Sequence, residues 1–171
     1  MGGDRLVALA AAGDGAAFDA LVRQHQSALR GFLRRLARGN HALADDLAQE
    51  TFIEAWRKIA QFRGEGSFKA WLTSIAYRQY LMAARRKKLE PLETGDGMTE
   101  PVVPFVSSDL RLDLEKAMAL LTLPQRAALT ICCALEYTHE EGAEILRMPL
   151  GTLKSHIARG RETLRKLLEG A

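Results

Sequence analysis

The chain has 171 residues, enough for one medium domain or two small ones. It is 47% hydrophobic, 26% charged and only 6% aromatic, with many Ala, Leu and Arg residues, so a soluble globular protein built from helices rather than sheets is expected. A net charge of +3 says little by itself, but no apolar run approaches the roughly 20 residues needed to cross a bilayer, so membrane insertion is not expected.

The start, Met1-Gly2-Gly3-Asp4, has no basic segment leading into an apolar stretch, so no signal peptide and a cytoplasmic location are expected. Asp14 is placed to cap a helix over about 15–38, whose apolar positions Phe18, Leu21, Val22, Leu29, Phe32, Leu33 and Leu36 make one stripe. Gly39-Asn40 ends it, and a second helix covers roughly 42–60. After the turn Phe62-Arg63-Gly64-Glu65-Gly66-Ser67, Ser67 can cap a third helix that runs through Phe68, Trp71, Leu72, Ile75 and Ala76 to Arg85-Arg86-Lys87-Lys88. Composition then shifts. Residues 89–109 hold Glu90, Glu93, Asp96, Glu100 and Asp109 with Pro91, Pro101, Pro104, Gly95 and Gly97, and no Lys or Arg, which reads as a flexible acidic linker. The expected architecture is all-α, with domains at 1–88 and 110–171.

Within the second domain, Thr138-His139-Glu140-Glu141 has capping-box spacing, and a short helix Glu140–Leu146 should follow. Arg147-Met148-Pro149 breaks it, and another helix from Leu150 can run to Leu168. Two helices across so short a turn fit a helix-turn-helix, with Ala143 at the crossing and Leu146, Met148, Leu153 and Ile157 in the seam. The outer face of the later helix carries Thr152, Lys154, Ser155, His156, Arg159 and Arg161. Such a face can reach base edges and phosphates, although a solvated basic helix would look the same.

Four regions carry a family resemblance. Tyr137-Thr138-His139-Glu140-Glu141, Ala143-Glu144-Ile145-Leu146, Pro149-Leu150-Gly151-Thr152-Leu153-Lys154-Ser155 and Arg159-Gly160-Arg161 closely resemble the promoter-reading C-terminal domain of extracytoplasmic-function (ECF) sigma factors, and Leu123-Pro124-Gln125-Arg126 resembles its entry. Asp45-Asp46-Leu47-Ala48-Gln49-Glu50-Thr51-Phe52-Ile53-Glu54-Ala55-Trp56 resembles the helix that docks on the polymerase clamp. Phe62 through Leu72 resembles the segment that opens the −10 element. The resemblance spans nearly the whole chain, in family order. It implies an alternative sigma factor, with core RNA polymerase, promoter DNA and a restraining anti-sigma factor as partners and a role in stress response. Four positions depart from the family pattern: Gly142 replaces an apolar residue, Arg147 a turn glycine, and Arg78 and Met82 replace Asn and Asp in the third helix, which bears on −10 preference.

The resemblance implies three sites. Asp46, Gln49, Glu50, Ile53 and Arg57 would meet polymerase; their helical spacing puts them on one face, opposite Leu43, Leu47, Ala55 and Ile59, though an ordinary amphipathic surface has the same spacing. Phe62, Arg63, Phe68, Tyr77, Arg78, Leu81 and Arg85 would serve the −10 element, where aromatic faces and a basic track hold unstacked bases. Trp71 is read as core. The run Arg85–Lys88 suits either phosphate contact or a solvated helix end favoured by the macrodipole. Thr152, Lys154, Ser155, His156 and Arg159 would read the −35 element.

No catalytic residue, metal or cofactor is expected. There is no glycine-rich phosphate loop, His139-Glu140-Glu141-Gly142-Ala143 lacks the second His of a zinc-protease motif, and the four histidines do not pair with Cys132 and Cys133 at zinc-ligand spacing. The two adjacent cysteines are expected to be buried thiols on a helix in a reducing compartment. Two other functions fit parts of the sequence. A sigma-like decoy that sequesters an anti-sigma factor would not need the basic recognition helix. An ordinary helix-turn-helix regulator would leave the clamp-like helix and the Phe62–Trp71 segment unexplained.

Overall fold

The structure, a computed structural model, describes residues 2–89 and 110–169, which form eight α-helices and no strand. The N-terminal half holds α1 (Gly2–Ala11), α2 (Gly15–Leu36), α3 (His41–Lys58) and α4 (Phe68–Leu89); the C-terminal half holds α5 (Leu110–Leu120), α6 (Leu123–Leu129), α7 (His139–Leu146) and α8 (Leu150–Glu169). The all-helical architecture expected from the stripes is what forms. The acidic linker, including Glu90, Glu93, Asp96, Glu100 and Asp109, lies outside the described residues apart from Leu89, the last residue of α4.

Local chemistry sets the helix starts. The Asp14 carboxylate accepts from the Ala17 N–H at 3.1 Å, the Asn40 side chain from Leu43 N–H at 3.0 Å, and Ser67 Oγ from Ala70 N–H at 3.1 Å. Each satisfies one of the orphan donors of a first turn, a contribution of about 1 kcal/mol. Asn40, expected only to end α2, also starts α3. The α2 terminus turns through left-handed Arg38 and Gly39, with Gly39 N–H donating to Arg34 O at 2.9 Å, a Schellman closure.

The core sits between α2, α3 and α4. From the expected stripe, Phe18, Leu21, Leu29, Phe32, Leu33 and Leu36 are buried, whereas Val22 is half-buried at the edge of a groove. They pack against Ala44, Leu47, Ala48 and Ala55 of α3 and Leu72, Ile75 and Ala76 of α4. Burial of each large side chain contributes roughly 1.5–3 kcal/mol. Helix α1 was not read from the sequence; buried Val7 and Ala10 join the same core, and α1 packs on α2.

The cysteines depart from expectation. Thr130–Ala134 forms a π turn in which Leu135 N–H donates to Thr130 O at 3.0 Å. The extra residue per turn shifts the helical period, so Cys132 is half-buried and Cys133 is exposed rather than both being buried. Arg161 Nη2 lies 3.4 Å from the Cys133 sulfur.

The two halves are packed together. Their buried residues belong to one continuous cluster, and α4 lies on α7 while α2 touches α5 and α6.

Candidate functional site

Three surfaces take the residues singled out in the sequence. On α3, Asp46, Gln49, Glu50, Ile53 and Arg57 are all exposed, while Leu47, Ala55 and Ile59 are buried and Leu43 is half-buried. The helix therefore keeps one face for the core and leaves the other to solvent. Four of the five exposed residues (Asp46, Gln49, Ile53 and Arg57) line an open groove of about 870 Å³ between α2 and α3. Phe18, Val22, Phe52 and Trp56 form its apolar floor with Ile53, and Arg30 and Asp45 lie on its rim. Ile53 is 46% and Trp56 40% exposed, large apolar surfaces within a charged frame. Phe18 and Trp56 rings meet at 4.9 Å, which fixes the indole against the floor. The rim is ordered by Asp45, 3.7 Å from Arg30 and 3.5 Å from Arg34. Lys58 pairs with Glu54 one turn away, and that hydrogen bond lowers the Glu54 carboxyl below its ordinary range. Of the floor only Ile53 was among the candidates; the signal available for the rest was Trp56, a large aromatic at i+3 from Ile53 on the polar face.

The second surface surrounds the loop between α3 and α4. Gly64 (φ 74°) and Gly66 (φ 80°) take left-handed backbone that a side chain would strain, so the loop needs both glycines. The rings of Phe62, Phe68 and Trp71 pack on one another, Phe62 to Trp71 at 5.2 Å and Phe68 to Trp71 at 5.6 Å. This cluster braces the loop and leaves Arg63 exposed. Along α4 the candidate residues divide. Arg78 and Arg85 are exposed, with Met82 and Arg86 on the same stripe; Phe62 and Leu81 are half-buried; Phe68 and Tyr77 are each only 8% exposed. The seven residues are thus not one continuous face in this arrangement. Burial raises the Tyr77 hydroxyl above its ordinary range, with nearby Tyr80 adding to it.

The third surface is the helix-turn-helix. Thr138 Oγ1 accepts from Glu141 N–H at 3.1 Å while a Glu141 carboxylate oxygen accepts from Thr138 N–H at 2.9 Å, so the expected capping box is in place. The turn closes with Met148 N–H donating to Ala143 O at 3.0 Å and Arg147 N–H to Glu144 O at 3.2 Å. That Schellman geometry puts Arg147 in the left-handed region (φ 52°), where glycine is favoured. Leu146, Leu153 and Ile157 are buried in the seam, and Met148 is half-buried. Gly142 and Gly160 are the close approaches. A Cβ on Gly160 would lie 2.8 Å from Leu129 Cδ1, so a side chain there would displace Leu129 where α8 lies against α6. Away from this seam on α8, Thr152, Lys154, Ser155 and Arg159 are exposed and His156 is half-buried; Thr152, Ser155 and Arg159 share one stripe at i, i+3 and i+7, with Lys154 and His156 on its two flanks.

Comparison with known proteins places these surfaces in a family. Residues 21–90 match the family described as Sigma-70 region 2, and residues 111–164 match Sigma-70, region 4. The chain is 37% identical over 169 residues to the ECF RNA polymerase sigma factor SigE of Mycolicibacterium smegmatis, covering 92% of this chain and 65% of that protein. It is 31% identical over 172 residues to the RNA polymerase sigma-H factor of Pseudomonas aeruginosa, covering 92% and 89%. Among solved structures, the sigma factor RpoE in complex with the anti-sigma factor NepR from Bartonella quintana superposes with a TM-score of 0.73 at 29% identity, over 89% of this chain and 96% of that one. CnrH, solved with the cytosolic domain of CnrY, shares the fold with a TM-score of 0.74 at 24% identity, over 99% and 98%.

Proposed function

The chain belongs to the extracytoplasmic-function family of alternative sigma factors, non-enzymatic factors of transcription initiation, and from that premise we propose how its parts direct core RNA polymerase to a promoter. The N-terminal domain, 1–88, docks on polymerase through the α2/α3 groove and meets the −10 element through α4 and the loop before it. The C-terminal domain, 110–171, reads the −35 element with α8, and the acidic segment 89–109 joins the two.

The observation that carries this division is the coexistence of two exposed surfaces of different chemistry on one chain. The groove presents Ile53 and Trp56 inside a charged rim, the composition of a protein interface: an apolar centre, an aromatic anchor and polar edges. The α8 face presents Lys154 and Arg159 with Thr152 and Ser155, the donor set of a major-groove reader. An ordinary helix-turn-helix regulator has no use for the groove, and a decoy has no use for the α8 face. Arg78, Met82, Arg85 and Arg86 form the exposed stripe of α4, which suits a phosphate track with one apolar contact.

An anti-sigma factor that covers these surfaces is the natural restraint. The similar RpoE chain is solved with the anti-sigma factor NepR, which supports that partner here. None of the described helices is long and apolar enough to cross a membrane, in keeping with action on polymerase and DNA in the cytoplasm. The test is direct: purified chain added to core polymerase should yield promoter-dependent transcripts from host DNA. Binding to polymerase without such transcripts would favour the decoy, and DNA binding without polymerase binding would favour the ordinary regulator.

A further inference from the structure

We propose that Cys133 and Cys132 form a hydroperoxide-sensitive thiol pair: Arg161 assists oxidation of the exposed Cys133, and Cys132 then closes a disulfide that undoes the turn supporting the helix-turn-helix. The thiol chemistry stands on the geometry of the turn. Only its effect on promoter reading rests on the assignment of α8 to the −35 element.

Three features set these sulfurs apart from ordinary buried thiols. Both cysteines lie in the π turn Thr130–Ala134, the only π turn among the described residues. Single π turns of this kind are rare and recur at functional sites. The two thiols are also unequally placed. Cys133 is exposed, whereas Cys132 is half-buried, its sulfur 2.9 Å from where a β-carbon on Gly142 would lie. Burial pushes the Cys132 thiol up and the neighbouring Cys133 adds to this, so Cys132 keeps its proton. The third feature is Arg161 on α8, whose Nη2 donates to the Cys133 sulfur at 3.4 Å. The nucleophilic form of cysteine is the thiolate, and a guanidinium within hydrogen-bond reach favours negative charge on an attacking sulfur. An exposed, cation-assisted thiol beside a second, protonated thiol is the arrangement of an oxidisable cysteine with its resolving partner.

The two steps balance. The Cys133 thiolate attacks the terminal oxygen of a hydroperoxide, the O–O bond breaks, and Cys133 becomes a sulfenic acid while the alkoxide leaves and takes a proton from water. The sulfur is oxidised and the peroxide reduced. The Cys132 thiol then attacks the Cys133 sulfur. An S–S bond forms, the S–O bond breaks, and the Cys132 proton leaves with the hydroxyl as water.

The disulfide does not fit the turn as it stands. Bridged Cα atoms usually lie about 4.4–6.8 Å apart, whereas neighbours across a trans peptide are about 3.8 Å apart. Closing the ring therefore twists the backbone of Thr130–Ala134 and strains the 3.0 Å hydrogen bond from Leu135 N–H to Thr130 O. It also draws Cys132 away from Gly142 on α7 and the Cys133 sulfur away from Arg161 on α8. Leu153, a buried residue of α8, meets Cys132 around Gly142, so the disturbance reaches both helices of the helix-turn-helix. The same strain makes the bond easy to reduce, which suits a reversible switch.

The experiment treats the full chain with hydrogen peroxide beside Cys132→Ser, Cys133→Ser and Arg161→Gln, each first shown by far-UV circular dichroism to fold when reduced. Peptide mass spectrometry should find a Cys132–Cys133 disulfide in the wild type, reversed by dithiothreitol. Cys132→Ser should stop at a sulfenic acid on Cys133, trapped by dimedone. Oxidation should slow by about threefold or more in Arg161→Gln and about tenfold or more in Cys133→Ser. Amide hydrogen exchange across 130–137 should accelerate in the oxidised wild type and not in oxidised Cys132→Ser. Affinity for a duplex carrying the upstream element of a promoter the chain transcribes should fall at least fivefold in the same sample. A wild type that stays at sulfenic acid, a rate indifferent to Arg161→Gln or to Cys133→Ser, or a disulfide that leaves hydrogen exchange unchanged would each overturn the pair. Accelerated exchange with unchanged duplex affinity would overturn its link to promoter reading. Failure of the sigma assignment shows instead as absent transcripts, and the mass and exchange measurements need no promoter.

Discussion

Gly142 faces Cys132 so closely that a β-carbon on residue 142 would lie 2.9 Å from the Cys132 sulfur, 3.3 Å from Leu153 Cδ2 and 3.4 Å from Ile131 Cγ2. Helix propensity alone favours Ala over Gly at this position by up to about 1 kcal/mol. Packing opposes it, because the Cys132 sulfur would have to move and the fully buried Leu153 and Ile131 leave little room around it. Gly142→Ala should destabilise the C-terminal domain by about 1–2 kcal/mol. Combination with Cys132→Ala, which removes the nearest atom, should recover part of that loss. Chemical denaturation of the two single variants and the double variant measures the coupling, and strict additivity would remove the sulfur contact from the account.

Arg147 holds a left-handed backbone (φ 52°) at the Schellman position that ends α7. An L-residue there costs about 1–2 kcal/mol relative to glycine, and glycine loses part of that in the unfolded chain. Arg147→Gly should therefore stabilise the protein by about 0.5–1 kcal/mol, a rise in Tm of roughly 1–4 °C. A fall in Tm would mean that the exposed Arg147 side chain contributes more than its backbone costs.

Ile53 lines the α2/α3 groove, with Gln49 and Glu50 on the same exposed face. Ile53→Asp, and separately Gln49→Ala with Glu50→Arg, should leave the melting curve within about 0.5 kcal/mol of wild type, since none of these side chains is in the core. Affinity for core polymerase should fall by tenfold or more, roughly the 1.4–2 kcal/mol of an anchor residue. Titration with labelled polymerase reads this out, and unchanged affinity would move the docking face elsewhere.

Arg159 lies on the exposed side of α8 with Lys154 and Ser155. Its replacement by Ala should cost about 1–3 kcal/mol at particular −35 base pairs and little at others. Equal loss on every sequence in a competition series would make it a phosphate contact.

His25 is half-buried beside Phe68, at 5.4 Å between ring centroids, and its pKa is lowered first by burial and then by the Lys69 charge. The folded chain therefore takes up this proton less readily than the unfolded chain, whose His titrates near 6.5. Stability from this group is complete above about pH 6.5 and is lost as pH falls toward the depressed folded value. Denaturation at pH 7.5 and 5.5 should show a smaller pH effect in His25→Gln than in wild type; equal effects would assign the acid sensitivity to other groups.

Local interactions were legible in the sequence because their partners lie within a few residues. Asp14 caps at i+3, Thr138 and Glu141 cap each other across three residues, and the α2 stripe repeats at the period of one helix. The α3 and α8 faces were legible for the same reason: helical spacing fixes which side chains share a side. Contacts between distant segments were not. Helix α1 is held by Val7 and Ala10 against α2, with no cap or stripe strong enough to announce it. The sequence pattern could not foresee that a π turn would turn Cys133 outward, or that Gly142 would be required by a sulfur ten residues away. Tyr77 and Arg78 are neighbours in sequence and both were candidates for the −10 element, yet one is buried and the other exposed. Helical geometry points adjacent residues about 100° apart, and only the packing of the other helices around α4 decided which of those directions remained open to solvent.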